Sequence, residues 1–358
     1  MSNDSTLIAP ERAKEFCKNC FLTVPLSSDD SDLISESLVE SDLRGVYSHG
    51  MQLVPRYIRG LKNGINPNPE IKTVVDAGSL TILDGDCGMG QVVGAKGMQL
   101  AIEKAKLHGI ASVAIRNSNH LGGLAYYGMM AIKQDMISMS STNAASIMAP
   151  WGGVTETLGN NPICYTIPSG NSYPIVLDMA ISTAARNKIR VAAAKGESIP
   201  LGWGLDREGQ PTTDPEEALN GLVAPMAEAK GFGLGIVMEI MTAVLAGGTL
   251  SKDLPRDAIE STSVFYPTYV SHYFHAIDIK RIMPIKEFKS KVDQLVAQVH
   301  ESALAKGSSG VFMPGEIEFA TKEERLKTGI PTPQSTIDSL DQIAQEIGVE
   351  SISAHISS

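Results

Sequence analysis

The stretch Asp84-Gly-Asp-Cys-Gly-Met-Gly-Gln-Val-Val-Gly94 decides between two kinds of α/β fold. It follows a β-branched run at 79–84 and precedes a helical run at 91–107, where a Rossmann unit carries its dinucleotide fingerprint. Its glycines, Gly88, Gly90 and Gly94, are spaced GxGxxxG, one residue too many for that fingerprint. A Rossmann site also needs a carboxylate about twenty residues on, at the end of the next strand, to hold the ribose hydroxyls. That strand, 110–115, ends instead at Arg116 and Asn117. The glycines therefore read first as a tight strand-to-helix turn, with an ordinary Rossmann site as the alternative, in a fold that is α/β.

Outward from this turn, short β-branched runs at 71–75, 79–84 and 110–115 alternate with helical spacing, and further strands are predicted at 136–141, 163–167 and 174–178. The Gly-, Met- and Ile-rich stretch 231–246 reads as a buried helix, and the turn formers of 202–215 as an exposed loop. Both ends are helical. Leu33, Ile34, Leu38, Val39 and Leu43 recur at helical spacing behind the capping candidates Ser28, Asp29 and Asp30. A second helix is predicted over 52–63, with Leu53, Val54, Tyr57, Ile58 and Leu61 as its apolar set and Pro55 in its first turn. Phe288, Val292, Leu295, Val296 and Val299, then Ile337, Leu340 and Ile343, repeat the pattern near the end. The expected organisation is an N-terminal helical domain (1–74), an α/β region of two subdomains (75–280), and a C-terminal helical segment (281–358) packed on the first.

The chain has 358 residues, 43% hydrophobic and 20% charged, which fits a globular protein with a substantial core. Thirty basic against forty acidic side chains leave a charge of −10, which repels nucleic acid and anionic membrane alike. The first ten residues hold no basic stretch leading into an apolar run, and apolar windows are broken well before about 18 residues. A cytoplasmic protein is expected. Four scattered cysteines form no disulfide framework, and the Cys17–Cys20 pair falls on a predicted helix with no second ligand pair at zinc spacing.

Candidate chemistry lies in two loop histidines beside glycine, His49 in Tyr47-Ser-His-Gly50 and His120 in Asn117-Ser-Asn-His-Leu-Gly-Gly123. An imidazole on a rigid turn is suited to moving a proton to or from a substrate oxygen, although either could be a satisfied surface histidine. A Ser48–His49 nucleophile pair is not expected, since adjacent side chains diverge, and no GxSxG elbow is present. His272 and His275 fall on a predicted strand, on opposite faces, which argues against a metal site. The cluster Lys230-Gly-Phe-Gly-Leu-Gly235 opens a helix and could cradle an anion, or its glycines could simply allow close packing on a sheet.

Taken together, these residues resemble the malate/L-lactate dehydrogenase-like oxidoreductases, a family that also includes sulfolactate and ureidoglycolate dehydrogenases and reductases of diketo acids and cyclic imines. The likeness runs nearly end to end. It covers Arg44-Gly-Val-Tyr-Ser-His-Gly50, Asn119-His120, Ala149-Pro-Trp-Gly-Gly153, Gly159-Asn-Asn-Pro162, Asp178-Met-Ala180, Pro211-Thr-Thr-Asp-Pro215, Lys230-Gly-Phe-Gly233 and Pro314-Gly-Glu316.

The resemblance implies a mixed sheet that binds NAD or NADP without a Rossmann site, a homodimer, and hydride exchange with a 2-hydroxy or 2-keto acid, malate or a close analogue such as lactate first. It assigns His49 and His120 to proton transfer with Ser48 beside them, and Arg186 and Arg44 to the substrate. To the cofactor it assigns Asn143, Asp178, Met179, Ala180, Ser182, Lys230, Gly315 and Glu316. The chain departs from the family at Leu53, where many relatives carry arginine, and at Asn187, where glycine is usual. Leu53 favours the runner-up, a reductase of a cyclic imine or sugar-derived diketo acid. A binding protein that keeps the fold without turnover is the reading from another class.

Overall fold

Pro10 opens helix α1 (Pro10–Phe21), where first-turn N–H groups have no intrahelical partner and a proline costs nothing. Cys17 and Cys20, one turn apart, point the same way into the core with Phe16 and Phe21. Burial pushes the Cys20 thiol up to about 12, so it acts as a small apolar side chain. Helix α2 (Ser28–Leu43) starts from Ser27, whose hydroxyl accepts the Asp30 N–H at 3.0 Å. The cap thus lies one residue before the predicted candidates. Pro55 sits in the first turn of α3 (Val54–Lys62), which stops before Gly64 at φ +118°.

The computed structural model describes residues 5–255 and 267–355. Strand β1 (Ser5–Ile8) pairs antiparallel with a strand from the far end, Ile330–Pro333. Ile337, Leu340 and Ile343 of helix Gln334–Ile347 enter the same core as Phe16, Ile34, Leu38 and Ile58. The N- and C-terminal segments thus share one apolar cluster. Helix Ile285–His300 packs elsewhere, with Val292 and Val296 against Ile175 and Leu295 exposed.

Six strands follow β1: β2 (Lys72–Ala77), β3 (Leu80–Gly88), β4 (Ile110–Ser118), β5 (Met136–Thr142), β6 (Ile163–Ile167) and β7 (Ile175–Met179). Next come three short strands, β8 (Gly204–Leu205), β9 (Pro211–Thr212) and β10 (Leu222–Val223), and one long strand, β11 (Val270–Asp278). The stretch 202–215, expected as an exposed loop, is instead a β8–β9 hairpin in a three-stranded sheet with β10. Asp206 organises its turn by accepting the Glu208 and Gln210 N–H groups at 2.8 and 2.9 Å.

The main sheet has seven strands in the order β2-β3-β4-β11-β5-β6-β7. Only β3 and β4 are parallel, joined by helix α4 (Gly90–His108), and every other neighbouring pair is antiparallel. This is a mixed sheet, as expected, and not a doubly wound one. Ala111, Val113, Ile115, Phe274 and Ala276 alternate onto the face covered by α4 and α5 (Ala125–Ile132). Beyond β7 lie α6 (Arg186–Lys195), α7 (Pro215–Asn220) and α8 (Ala229–Glu239), and α8 covers the other face through Met238 on Ala114, Met139 and Tyr273. Helix α8 runs on into a π turn, Ile240–Val244. The expectation that 231–246 is buried holds for one side only, because Ile236, Val237, Ile240 and Val244 remain exposed.

The glycine turn at 84–94 does what the tight-turn reading requires. A Cβ on Gly90 would stand 2.1 Å from the Asn119 carbonyl oxygen, so only glycine lets the start of α4 press against the loop after β4. The acid of this region is on β3: Asp84 accepts from Arg116 Nε at 2.9 Å and Asn117 Nδ2 at 2.8 Å.

Candidate active site

His49 closes a single 3-10 turn, Tyr47–His49, after α2. Asp42, buried near the end of α2, accepts the Met51 N–H at 2.7 Å. A Cβ on Gly50 would lie 1.9 Å from its Oδ1, so glycine is needed for the turn to rest on that carboxylate. From helix Glu316–Thr328, Arg325 stacks 4.6 Å over the Tyr47 ring and donates to the Tyr47 hydroxyl and the Asp42 carbonyl. His120 lies on the loop after β4. Its neighbour Asn119 donates to the Cys87 and Gly88 carbonyls at 2.9 and 3.0 Å and accepts the Thr268 N–H at 2.7 Å.

These supports bring the two imidazoles together, stacked with centroids 5.5 Å apart and planes at 20°. Ser48 Oγ lies 2.9 Å from His49 Nδ1, and the Tyr57 hydroxyl 2.7 Å from His120 Nδ1. The expectation that Ser48 and His49 diverge is therefore overturned. Successive side chains of a 3-10 turn are rotated by about 120°, not the half-turn of a strand, and adjacent groups can meet.

Burial, reinforced by the nearby Arg56 cation, holds His49 down at about 4. Burial, then Arg56, then His49 itself, hold His120 well below the ordinary imidazole range. Both rings are neutral at pH 7, the form that accepts a proton. Asp178, raised to about 6 by its enclosed setting, accepts the Ala125 N–H at 2.9 Å, while the Arg44 cation opposes the rise.

Two adjoining cavities meet at His49, and His120 lines the smaller of them. The smaller is lined by His49, Arg56, His120, Asn143, Leu254 and Val270, among others. The larger holds Arg44, Asp178, Met179, Ala180 and Lys188. His49, Gly122, Asn160 and Pro162 line both.

Of the residues singled out from the sequence, His49, His120, Arg44, Asn143, Asp178, Met179 and Ala180 line these cavities. Asn143 spends its side chain on the Thr249 carbonyl at 2.9 Å and the Ser271 N–H at 2.7 Å, which fixes the loop beside the cavity. Arg186 does not line them; its guanidinium lies 3.8 Å from Glu156 and donates to the Leu219 carbonyl at 2.9 Å. Glu316 meets His300 at 2.9 Å and the Met313 N–H at 2.8 Å, and Gly315, at φ +88°, packs on Val176. Ser182 is buried beside the larger cavity's Ala180, bridged to Pro225. Lys230 is exposed in the first turn of α8, where Gly231 packs on the Met226 carbonyl and Gly233 meets nothing within 4 Å, so close packing accounts for Gly231 but not for Gly233.

Arg56, which the sequence offers beside Leu53 either as a substrate contact or as an exposed helix residue, lines the smaller cavity, whereas Tyr57 is not among the sequence's site candidates. Tyr57 was counted in an apolar helix face, and the signal passed over was its hydroxyl, because a buried tyrosine needs a polar partner. His272 is fully buried between Ser118 Oγ at 2.8 Å and Thr142 Oγ1 at 2.9 Å, while His275 meets Ser112 Oγ at 3.1 Å. Among the described residues no group of three His, Cys, Asp or Glu side chains is arranged to hold a metal, and no helix is long and apolar enough to cross a membrane.

Residues 8–341 match the family described as malate/L-lactate dehydrogenase. The chain is 37% identical to a malate dehydrogenase of Pyrococcus horikoshii, over 96% of each chain. It is 38% identical to an L-sulfolactate dehydrogenase of Methanocaldococcus jannaschii, over 96% of this chain and 98% of that one. The crystal structure of a malate dehydrogenase from Entamoeba histolytica superposes with a TM-score of 0.90 at 28% identity, covering 97% of this chain and 99% of the other.

Proposed function

The chain belongs to the malate/L-lactate dehydrogenase family, and from that premise we propose that it exchanges hydride between NAD or NADP and a 2-hydroxy or 2-keto acid, with malate and oxaloacetate the first pair and lactate and pyruvate the next. The observation that carries this reading is the stacked His49–His120 pair at the seam of two unequal cavities. The larger one suits a dinucleotide. Arg44 Nη1, on its wall, is buried without a hydrogen-bond partner among the described residues, a donor that an amide or phosphate oxygen would satisfy. Asp178, Met179 and Ala180 would hold the cofactor there, and Lys230, exposed at the start of α8, would meet a phosphate.

A bound nicotinamide supplies or takes up the hydride. The chain's own residues handle the proton. Nδ1 of each ring is already engaged, by Ser48 at His49 and by Tyr57 at His120, so Nε2 faces the substrate oxygen. In oxidation the neutral His49 accepts the hydroxyl proton as hydride leaves the carbon, and His120 orients that oxygen. In reduction the proton returns from His49. Leu254 and Val270 close the small cavity with apolar surface and keep water from the reacting carbon.

Four exposed apolar residues on α8 and its π turn, Ile236, Val237, Ile240 and Val244, support a homodimer, and four free thiols fit a reducing cytoplasm. The purified protein should oxidise NADH or NADPH with oxaloacetate, pyruvate or a related keto acid. No oxidation across a panel that includes a cyclic imine and a diketo acid would reject the assignment, and cofactor binding without turnover would make it a binding protein.

A further inference from the structure

Arg56 stands in the first turn of α3, directly before Tyr57, and lines the smaller cavity together with both imidazoles. The neighbouring arginine on the same helix, Arg59, is turned outward to Glu346 at 3.5 Å. Arg56 is half-buried, and its charge reaches both rings, since it helps to depress His49 and His120. The rest of the described lining is neutral: Leu121, Thr142, Asn143, Leu254, Thr268 and Val270 carry no carboxylate and no second cation. An anion entering this space meets a single guanidinium next to two proton-transfer groups.

We propose that Arg56 anchors the substrate's 1-carboxylate, and that this contact couples the arrival of the keto acid to proton uptake by the His49–His120 pair. The inference rests on the function proposed above. A planar guanidinium matches a carboxylate in a two-point pair, and a 2-keto acid held this way places its carbonyl one bond away, toward the imidazoles. Burial is the larger cause of the rings' neutrality, and the arriving negative charge offsets the Arg56 field that adds to it. A proton from solvent then loads onto one ring. Reduction consumes it: hydride adds to the carbonyl carbon, the C=O π pair moves to oxygen, and Nε2 delivers the proton to that oxygen to give the 2-hydroxy acid.

The test is Arg56→Met beside Arg56→Lys, with oxamate, an unreactive 2-oxo carboxylate, as the binding probe in calorimetry at pH 7 in two buffers of different ionisation enthalpy. The wild type should bind oxamate in the presence of NADH or NADPH and take up a measurable fraction of a proton. Arg56→Met should weaken oxamate and raise KM for the keto acid roughly tenfold to a hundredfold, with an unchanged melting midpoint, and should move the acid limb of hydroxy-acid oxidation up toward an ordinary imidazole value. Arg56→Lys should recover part of the affinity.

An oxamate affinity within twofold of wild type in Arg56→Met overturns the anchor. Loss of affinity together with a lowered melting midpoint in both variants overturns it in favour of a structural role, and binding without proton uptake overturns the coupling. Should the wild type reduce no keto acid yet bind oxamate through Arg56, the functional reading fails and the anchor stands.

Discussion

The rings of His49 and His120 stack at 5.5 Å although one sits on a turn after an N-terminal helix and the other on a loop leaving the central sheet. Replacing His49 by alanine should lower turnover by about two to four orders of magnitude, the usual worth of a positioned acid or base, with cofactor affinity little changed. In the wild type, kcat/KM for hydroxy-acid oxidation, which reports the free enzyme, should persist below pH 6, because His49 is held at about 4 and is still a proton acceptor there. Steady-state rates against pH check both; an acid limb near 6.5 would show that His49 is not held neutral.

Tyr57 meets His120 Nδ1 at 2.7 Å, and burial raises its phenol to about 12, so it keeps its proton over the working range. Tyr57→Phe leaves the ring in place and removes this bond. We expect kcat to fall roughly tenfold, in line with about 1–1.5 kcal/mol for a lost hydrogen bond, with little change in KM. A shift in the pH profile should accompany it, and an unmoved profile would reduce Tyr57 to a packing residue.

Asp42 supports the His49 turn and is pushed up to about 7 by burial, with the Met51 N–H and the Arg325 cation opposing. A carboxyl that binds its proton more tightly folded than unfolded makes the folded state lose stability as pH rises, here between about 4 and about 7. Asp42→Asn lacks that titration. Urea melts at pH 5 and pH 8 should show the variant gaining on the wild type with pH, by at most about 3 kcal/mol. A pH-independent difference would mean that Asp42 is ionised throughout.

Gly90→Ala sets a methyl group 2.1 Å from the Asn119 carbonyl oxygen, which is backbone and has no flexible end to swing away. The start of α4 or the His120 loop must shift. A loss of roughly 1–3 kcal/mol in stability is expected from such overpacking, together with a fall in turnover larger than for Gly233→Ala, whose Cβ would meet nothing within 4 Å. Equal behaviour of the two variants would remove the link between this glycine and the site.

The tight turn at 84–94 was legible from one spacing and one missing carboxylate, the non-Rossmann fold came with the family resemblance, and the mixed sheet agrees with both. Periodicity located α2, α4, β4 and β11 to within a few residues, because the alternation of buried and exposed positions follows the repeat of each element. It erred at 231–246, where an apolar face is left exposed, and at 202–215, where turn formers close a hairpin of only two residues a side, Gly204–Leu205 on Pro211–Thr212.

The chain's residues by themselves offered two loop imidazoles beside glycine as candidates, and the order of motifs along the chain, through its resemblance to a family, supplied the class of chemistry. Which groups surround those imidazoles was decided only in three dimensions. Arg56, Tyr57, Asp42 and Arg325 reach the site from helices whose patterns record packing alone, and Arg186, assigned to the substrate from the sequence, lies instead against Glu156. A helical repeat specifies which side of the helix turns inward, but what a polar group at the edge of that side touches depends on where the other chain segments cross it.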